Sequence, residues 1–135
     1  MVLDTNVLIY LFEDHPRFGR TAEYVFEQIA GGAFRGVITP ITVAELLVKP
    51  LETGRTDIAD AYQSAMRHMP GVELIALDVE TGVLAGALRA QYGLPLPDMM
   101  QAAAAMRYAN PIILTQDARL GKLEDLKVYA LGDFM

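Results

Sequence analysis

The chain has 135 residues, with 11 basic against 17 acidic side chains and a net charge of −6. That length suits one domain with a core of its own, and the acidic balance excludes binding of nucleic acid through bulk charge alone. The absence of cysteine removes disulfides, thiolate nucleophiles and cysteine metal sites, and it suits a reducing cytoplasm.

"MVL" (1–3) predicts a short strand ending at Asp4, and "NVLIYLF" the start of a helix. Residues 1–12 carry Asp4 and lack a basic start and a small-residue cleavage site, so no signal peptide is expected. Residues 17–30 predict an amphipathic helix, with Ala22, Val25, Phe26 and Ile29 at helical spacing and Gly31 and Gly32 as its stop. "GVIT" (36–39) has the pattern of a buried strand, and Thr39 before Pro40 is a cap plus a first-turn proline, opening a helix through Val48. A helix over 56–69 ends at Pro70 and Gly71, followed by strand "VELIAL" (72–77) and a helix over 79–92 that ends at Gly93. Pro97 opens a very apolar helix to about Ala109, and "PIILT" (111–115) and "KVYAL" (127–131) complete the strands.

Such alternation predicts a single-domain, three-layer α/β/α sandwich over residues 1–135, built on a mostly parallel sheet. No uncharged apolar run approaches the ~18 residues of a membrane span. The hydrophobic share of 53% widens when the six tyrosines are exchanged for the eleven glycines in the count. Average domains stand near ~45–50% on that second count, so the excess points to an apolar surface covered by a partner or a second copy.

In an open parallel sheet the ligand crevice lies beyond the carboxyl ends of the strands, where strand order reverses. Asp4 and Asp117 follow predicted strands directly, while Glu45 and Asp98 lie on helices that start near the same edge. Each also has a plainer role. Asp4, Asp98 and Asp117 suit helix caps or first turns, and Glu45 precedes Lys49 by the four residues of a surface ion pair. The apolar neighbours of Glu45, from Val43 to Val48, make an unpartnered carboxylate costly there. Together, four acids on one crevice repel one another unless cations neutralise them, and hard ions such as Mg²⁺ or Mn²⁺ prefer oxygen ligands. Two such ions would bring the net charge to −6 + 4 = −2. His15, beside Pro16, and His68, beside Met69, have the setting of helix-end or loop residues rather than zinc ligands.

"LDTNVLIYLF", "ITPITVAELL", "LRAQYGLPLPDMMQAAAAM" and "ILTQDARLGKLEDLKVYAL" resemble, in order and spacing, the four signature blocks of PIN-domain nucleases. The closest type is the small toxin ribonuclease of VapBC toxin–antitoxin pairs, and the resemblance is weakest over residues 50–70. It implies a metal-dependent endoribonuclease with Asp4, Glu45, Asp98 and Asp117 as catalytic acids and ligands of Mg²⁺ or Mn²⁺. Thr5, Asn6 and Thr115 fall on its supporting polar positions. It further implies in-line attack leaving a 5′-phosphate and a 3′-hydroxyl, a homodimer, and an antitoxin that places a basic residue near the acids. Ala104 departs from the threonine that relatives often carry. Arg119 and Lys122 are the first candidates for contacting RNA, then Arg17 and Arg20, although all four suit a solvated helix face. The apolar stretch 7–12 and Met99, Met100 and Met106 suit core packing, or else a dimer seam or an antitoxin groove. A haloacid-dehalogenase-type phosphatase would need an acid where Asn6 stands. A housekeeping PIN nuclease in RNA processing or decay, and a non-catalytic PIN-like binding module, remain alternatives.

Overall fold

The computed structural model describes residues 1–108 and 110–135. Five short strands, β1 (Val2–Leu3), β2 (Gly36–Ile38), β3 (Val72–Leu74), β4 (Ile112–Leu114) and β5 (Lys127–Tyr129), form one parallel sheet in the order β3-β2-β1-β4-β5. Helices α1 (Thr5–Phe12) and α2 (Gly19–Ala30) link β1 to β2, and α3 (Pro40–Glu52) and α4 (Thr56–His68) link β2 to β3. The chain then crosses to the other side of β1 through α5 (Val79–Tyr92) and α6 (Leu96–Met106). Strand order therefore reverses between β1 and β4, which is where a ligand crevice belongs in such a sheet.

Successive strand residues point to opposite faces, and each face has its own core. Val2, Val37 and Ile113 pack with Ala85, Met99 and Ala103 of α5 and α6. Leu3, Ile38 and Leu114 pack with Val7, Phe26 and Ile29 of α1 and α2 and Leu46 of α3. This is the expected α/β/α sandwich. Met99 is fully buried, and Met100 and Met106 pack partly buried against the same core. No helix among the described residues is long and apolar enough to cross a membrane.

Several boundaries differ from the sequence reading, each for a physical reason. The third strand stops at Leu74 rather than residue 77, because its partner β2 ends at Ile38 and only the Ile75 N–H still reaches the Ile38 carbonyl, at 3.1 Å. Helix α3 runs past Val48 through a buried Pro50, stabilised by packing on α4 that outweighs the missing N–H. The helix expected from residue 17 begins at Gly19, and the last strand ends at Tyr129 because a 3-10 turn (Leu131–Phe134) follows. Helix α6 ends at Met106, and the expected limit at Ala109 lies outside the described residues.

Helix α5 spans 79–92 as the sequence indicates, closed by Gly93 in the left-handed region at φ 70°. A Cβ there meets nothing within 4 Å, so Gly93→Ala is expected to lose only the backbone penalty, about 1–2 kcal/mol by urea unfolding.

Candidate functional site

Parallel register builds the site from the strand ends outward. Leu3 pairs with Leu114, and the ladder continues through the Asp4 N–H to the Leu114 carbonyl at 3.0 Å, which brings Asp4 beside Thr115. The Thr115 hydroxyl donates to Asp4 Oδ2 at 2.6 Å, and Asn6 Nδ2 donates to the same oxygen at 3.4 Å. Asp4 Oδ1 accepts the Thr5 N–H at 2.8 Å, so this carboxylate caps α1 as well as facing the crevice. The capping role and the site role are compatible, because one oxygen serves each.

Asp117 likewise caps the 3-10 helix Ala118–Lys122, accepting the Arg119 N–H at 3.0 Å. Glu45 accepts the Thr5 hydroxyl at 2.7 Å. It is exposed, contrary to the burial its apolar neighbours suggest, because the buried stripe of α3 is Thr42, Leu46 and Pro50 while Ala44 and Val48 face outward. Nor does it pair with Lys49, which reaches Glu13 at 3.7 Å instead. Asp98 stands in the first turn of α6, opposite Asp117, and the Arg119 guanidinium bridges the two.

Electrostatics tie the four acids together. Burial, with the negative charges of Asp4, Asp117 and Glu45, pushes the Asp98 carboxyl up to about 6 against the opposing pull of Arg119. Hydrogen bonds from Arg119 hold Asp117 below the usual carboxylate range. Among the described residues no three acids or histidines converge as a ready metal centre, and Arg119 pairs with two of the carboxylates. The donor set nevertheless fits a hard divalent cation: every side-chain donor is a carboxylate oxygen, and the repulsion from Asp4, Asp117 and Glu45 that adds to the burial of Asp98 is one that positive charge relieves.

Asp98 holds its proton more tightly folded than unfolded in metal-free protein. Its stabilising contribution is complete below the ordinary value of 3.8 and is lost as pH rises through about 6. Asp98→Asn is neutral throughout. In chelator it is expected to melt above wild type near about pH 7.5, with the gap closing toward about pH 4, by thermal unfolding across that range.

Among the described residues Lys122, Arg17 and Arg20 make no ion pair with these acids, whereas Arg119 is engaged by two of them. Arg17 lies over the Phe18 ring at 5.0 Å. The helix-end reading of the histidines holds. His15 Nδ1 accepts the Arg17 and Phe18 N–H groups, each at 3.1 Å, and His68 Nδ1 meets the Ser64 carbonyl oxygen at 2.8 Å.

Gln101 is the residue that sequence reasoning missed. It is 1% exposed, and its Nε2 donates to Thr42 Oγ1 at 2.6 Å and faces Asp4 Oδ1 at 3.5 Å. The available signal was a lone amide in an apolar helix, three residues after Asp98 and so on the same face.

Asp4, Asp98 and Asp117 thus lie about the switch point between β1 and β4, with Glu45 tied to the same edge through Thr5. The PIN domain family model matches residues 1–126, and the chain belongs to that family. Its fold is similar to that of VapBC2 from Rickettsia felis bound to a DNA fragment from their promoter, with 20% identity, a TM-score of 0.77 and 96% of each chain covered. A toxin-antitoxin complex from Klebsiella pneumoniae is 24% identical with a TM-score of 0.71, again over 96% of each chain. DNA-bound VapBC from Salmonella typhimurium is 16% identical with a TM-score of 0.71 over 96% of both chains. No curated protein matches the chain by sequence.

Proposed function

We propose that the chain is a metal-dependent endoribonuclease, the toxin of a toxin–antitoxin pair. The single observation that carries this reading is membership of the PIN domain family over residues 1–126. The fold shared with toxin–antitoxin complexes, and the crowding of Asp98 by Asp4, Asp117 and Glu45, support it further.

Asp4, Asp98 and Asp117, with Glu45 beside them, would hold Mg²⁺ or Mn²⁺. The cation supplies Lewis-acid polarisation of a phosphodiester and acidifies a water molecule. The chain's own part is positional. Thr115, Asn6 and the Thr5 N–H fix both oxygens of Asp4, and Thr5 fixes one oxygen of Glu45. Glu45 orients the attacking water, and the cut leaves a 5′-phosphate and a 3′-hydroxyl. Arg119, which bridges Asp98 and Asp117, would contact the RNA backbone with Lys122 alongside.

The antitoxin docks a helix between α1, α3 and α4. A cleft of about 260 Å³ lies there, lined by Ile9, Leu46, Pro50 and Tyr62, with Leu51 exposed nearby. A second copy covers the outer face of α5, where Val79 and Val83 are exposed.

Sequencing RNA ends after induced expression, with Asp98→Asn as control, tests the activity and finds its target together. A shared cut site that vanishes in the variant is the expected result. Identical end maps for the two proteins refute the assignment.

A further inference from the structure

Beneath the crevice runs a continuous line of buried hydrogen bonds whose direction can be worked out from its last link. The Glu45 carboxylate can only accept, so Thr5 Oγ1 commits its one proton to Glu45 Oε1 at 2.7 Å. Thr5 Oγ1 is then the acceptor from Thr42 Oγ1 at 3.1 Å. The Leu3 carbonyl, at 3.4 Å, is a poorer alternative for that Thr42 proton. Thr42 Oγ1 in turn accepts from Gln101 Nε2 at 2.6 Å, and Gln101 Oε1 accepts from Thr39 Oγ1 at 2.5 Å. Thr39 Oγ1 takes the Ile41 N–H at 3.2 Å, in the first turn of α3.

The Gln101 amide is locked in this orientation. Its second Nε2 hydrogen faces Asp4 Oδ1 at 3.5 Å, and a flipped amide would set oxygen against that carboxylate. Thr39, Thr42 and Gln101 are at most 1% exposed and Thr5 is 8% exposed, so water does not interrupt the line. Every dipole in it points toward Glu45, and bonds aligned in this way strengthen one another. Such a polar thread through an aliphatic core ends on an exposed carboxylate of the crevice rather than closing on backbone.

We propose that Gln101 and Thr42 are positioning residues, which hold Glu45 Oε1 through Thr5 and thereby fix Glu45 relative to Asp4 without contact between the two acids. Sequence places Gln101 and Glu45 on different helices; only the fold joins them. The proposal rests on the reading of these acids as a divalent-cation site. It adds that the geometry of the site is set from behind, by side chains that touch neither cation nor RNA.

Mn²⁺ affinity of the metal-free full chain, read from the electron paramagnetic resonance of free Mn²⁺, tests it. Gln101→Met keeps volume without hydrogen bonds, and is expected to weaken Mn²⁺ binding by about 10–100-fold. Thr42→Val should do the same and Thr42→Ser should bind like wild type, since the hydroxyl and not the methyl carries the thread. In a Glu45→Ala background, Gln101→Met should change affinity by less than about threefold, because the carboxylate held by the thread is gone and the remaining Gln101 contact, to Asp4 Oδ1 at 3.5 Å, is weak. Thermal melts accompany each protein, and Gln101→Met decides the matter if Thr42→Val fails to fold. Wild-type affinity in Gln101→Met, or an undiminished loss in the Glu45→Ala background, overturns the proposal alone. Absence of Mn²⁺ binding by the wild-type chain overturns the cation reading and this proposal with it.

Discussion

Asp4→Asn is expected to cleave RNA at least about a hundredfold more slowly than wild type under Mg²⁺, since charge stabilisation by a bound cation contributes several kcal/mol. The substitution removes one negative charge with almost no change of shape. Both oxygens of Asp4 are met by donors: the Thr5 N–H on Oδ1, Thr115 Oγ1 and Asn6 Nδ2 on Oδ2. An asparagine must turn its amide nitrogen toward one of these sides. The Thr115 side is the less costly, because the Thr5 backbone N–H cannot reorient, whereas the Thr115 hydroxyl can accept there once it gives up its weaker 3.3 Å bond from Asn6 Nδ2. That exchange costs about 1 kcal/mol of stability, small beside the electrostatic loss at the cation. Cleavage of a fluorogenic RNA, with a melting curve for the same sample, checks this; a wild-type rate would end the assignment of Asp4.

The largest effect on stability is expected at Gly71, in the turn between α4 and β3. Its φ is +75°, and a Cβ there would lie 2.4 Å from the Ile29 carbonyl oxygen and 3.0 Å from its carbon. Those atoms are backbone at the end of α2, so no side chain can rotate out of the way. The left-handed penalty of about 1–2 kcal/mol is joined by about 1–3 kcal/mol for displaced packing. Gly71→Ala should thus lower the melting temperature by on the order of 10 °C, clearly more than Gly93→Ala, whose Cβ meets open space. Equal melting of the two variants would mean that the Ile29 carbonyl shifts freely.

Much of the fold was legible because its signals are local. Thr39 and Pro40 mark the start of α3, Gly93 marks the end of α5, and the alternation of apolar runs with amphipathic stretches carries the layer order. Asp4 and Asp117 could be found because each follows an apolar run, and the strands end just before them, β1 at Leu3 and β4 at Leu114. What the sequence withheld depends on partners. The length of β3 is set by where β2 turns into α3, which no pattern within residues 72–77 records. The exposure of Glu45 depends on which stripe of α3 faces inward, and its neighbours are apolar on both sides of that choice. The Arg119 bridge joins acids from two segments, and the Gln101 thread joins three helices, so neither has a signature at any one place in the chain.

The pairing of β1 with β4 has a temporal consequence. It joins residues 2 and 3 to residues 113 and 114, the longest loop the sheet must close. During synthesis, a chain that has emerged only as far as α6 already carries Asp4, Glu45 and Asp98, yet it lacks Thr115, whose hydroxyl seats Asp4, and the fourth acid, Asp117. The seat of Asp4 is thus completed last, once residues 113–117 have joined the sheet and almost the whole polypeptide has been made.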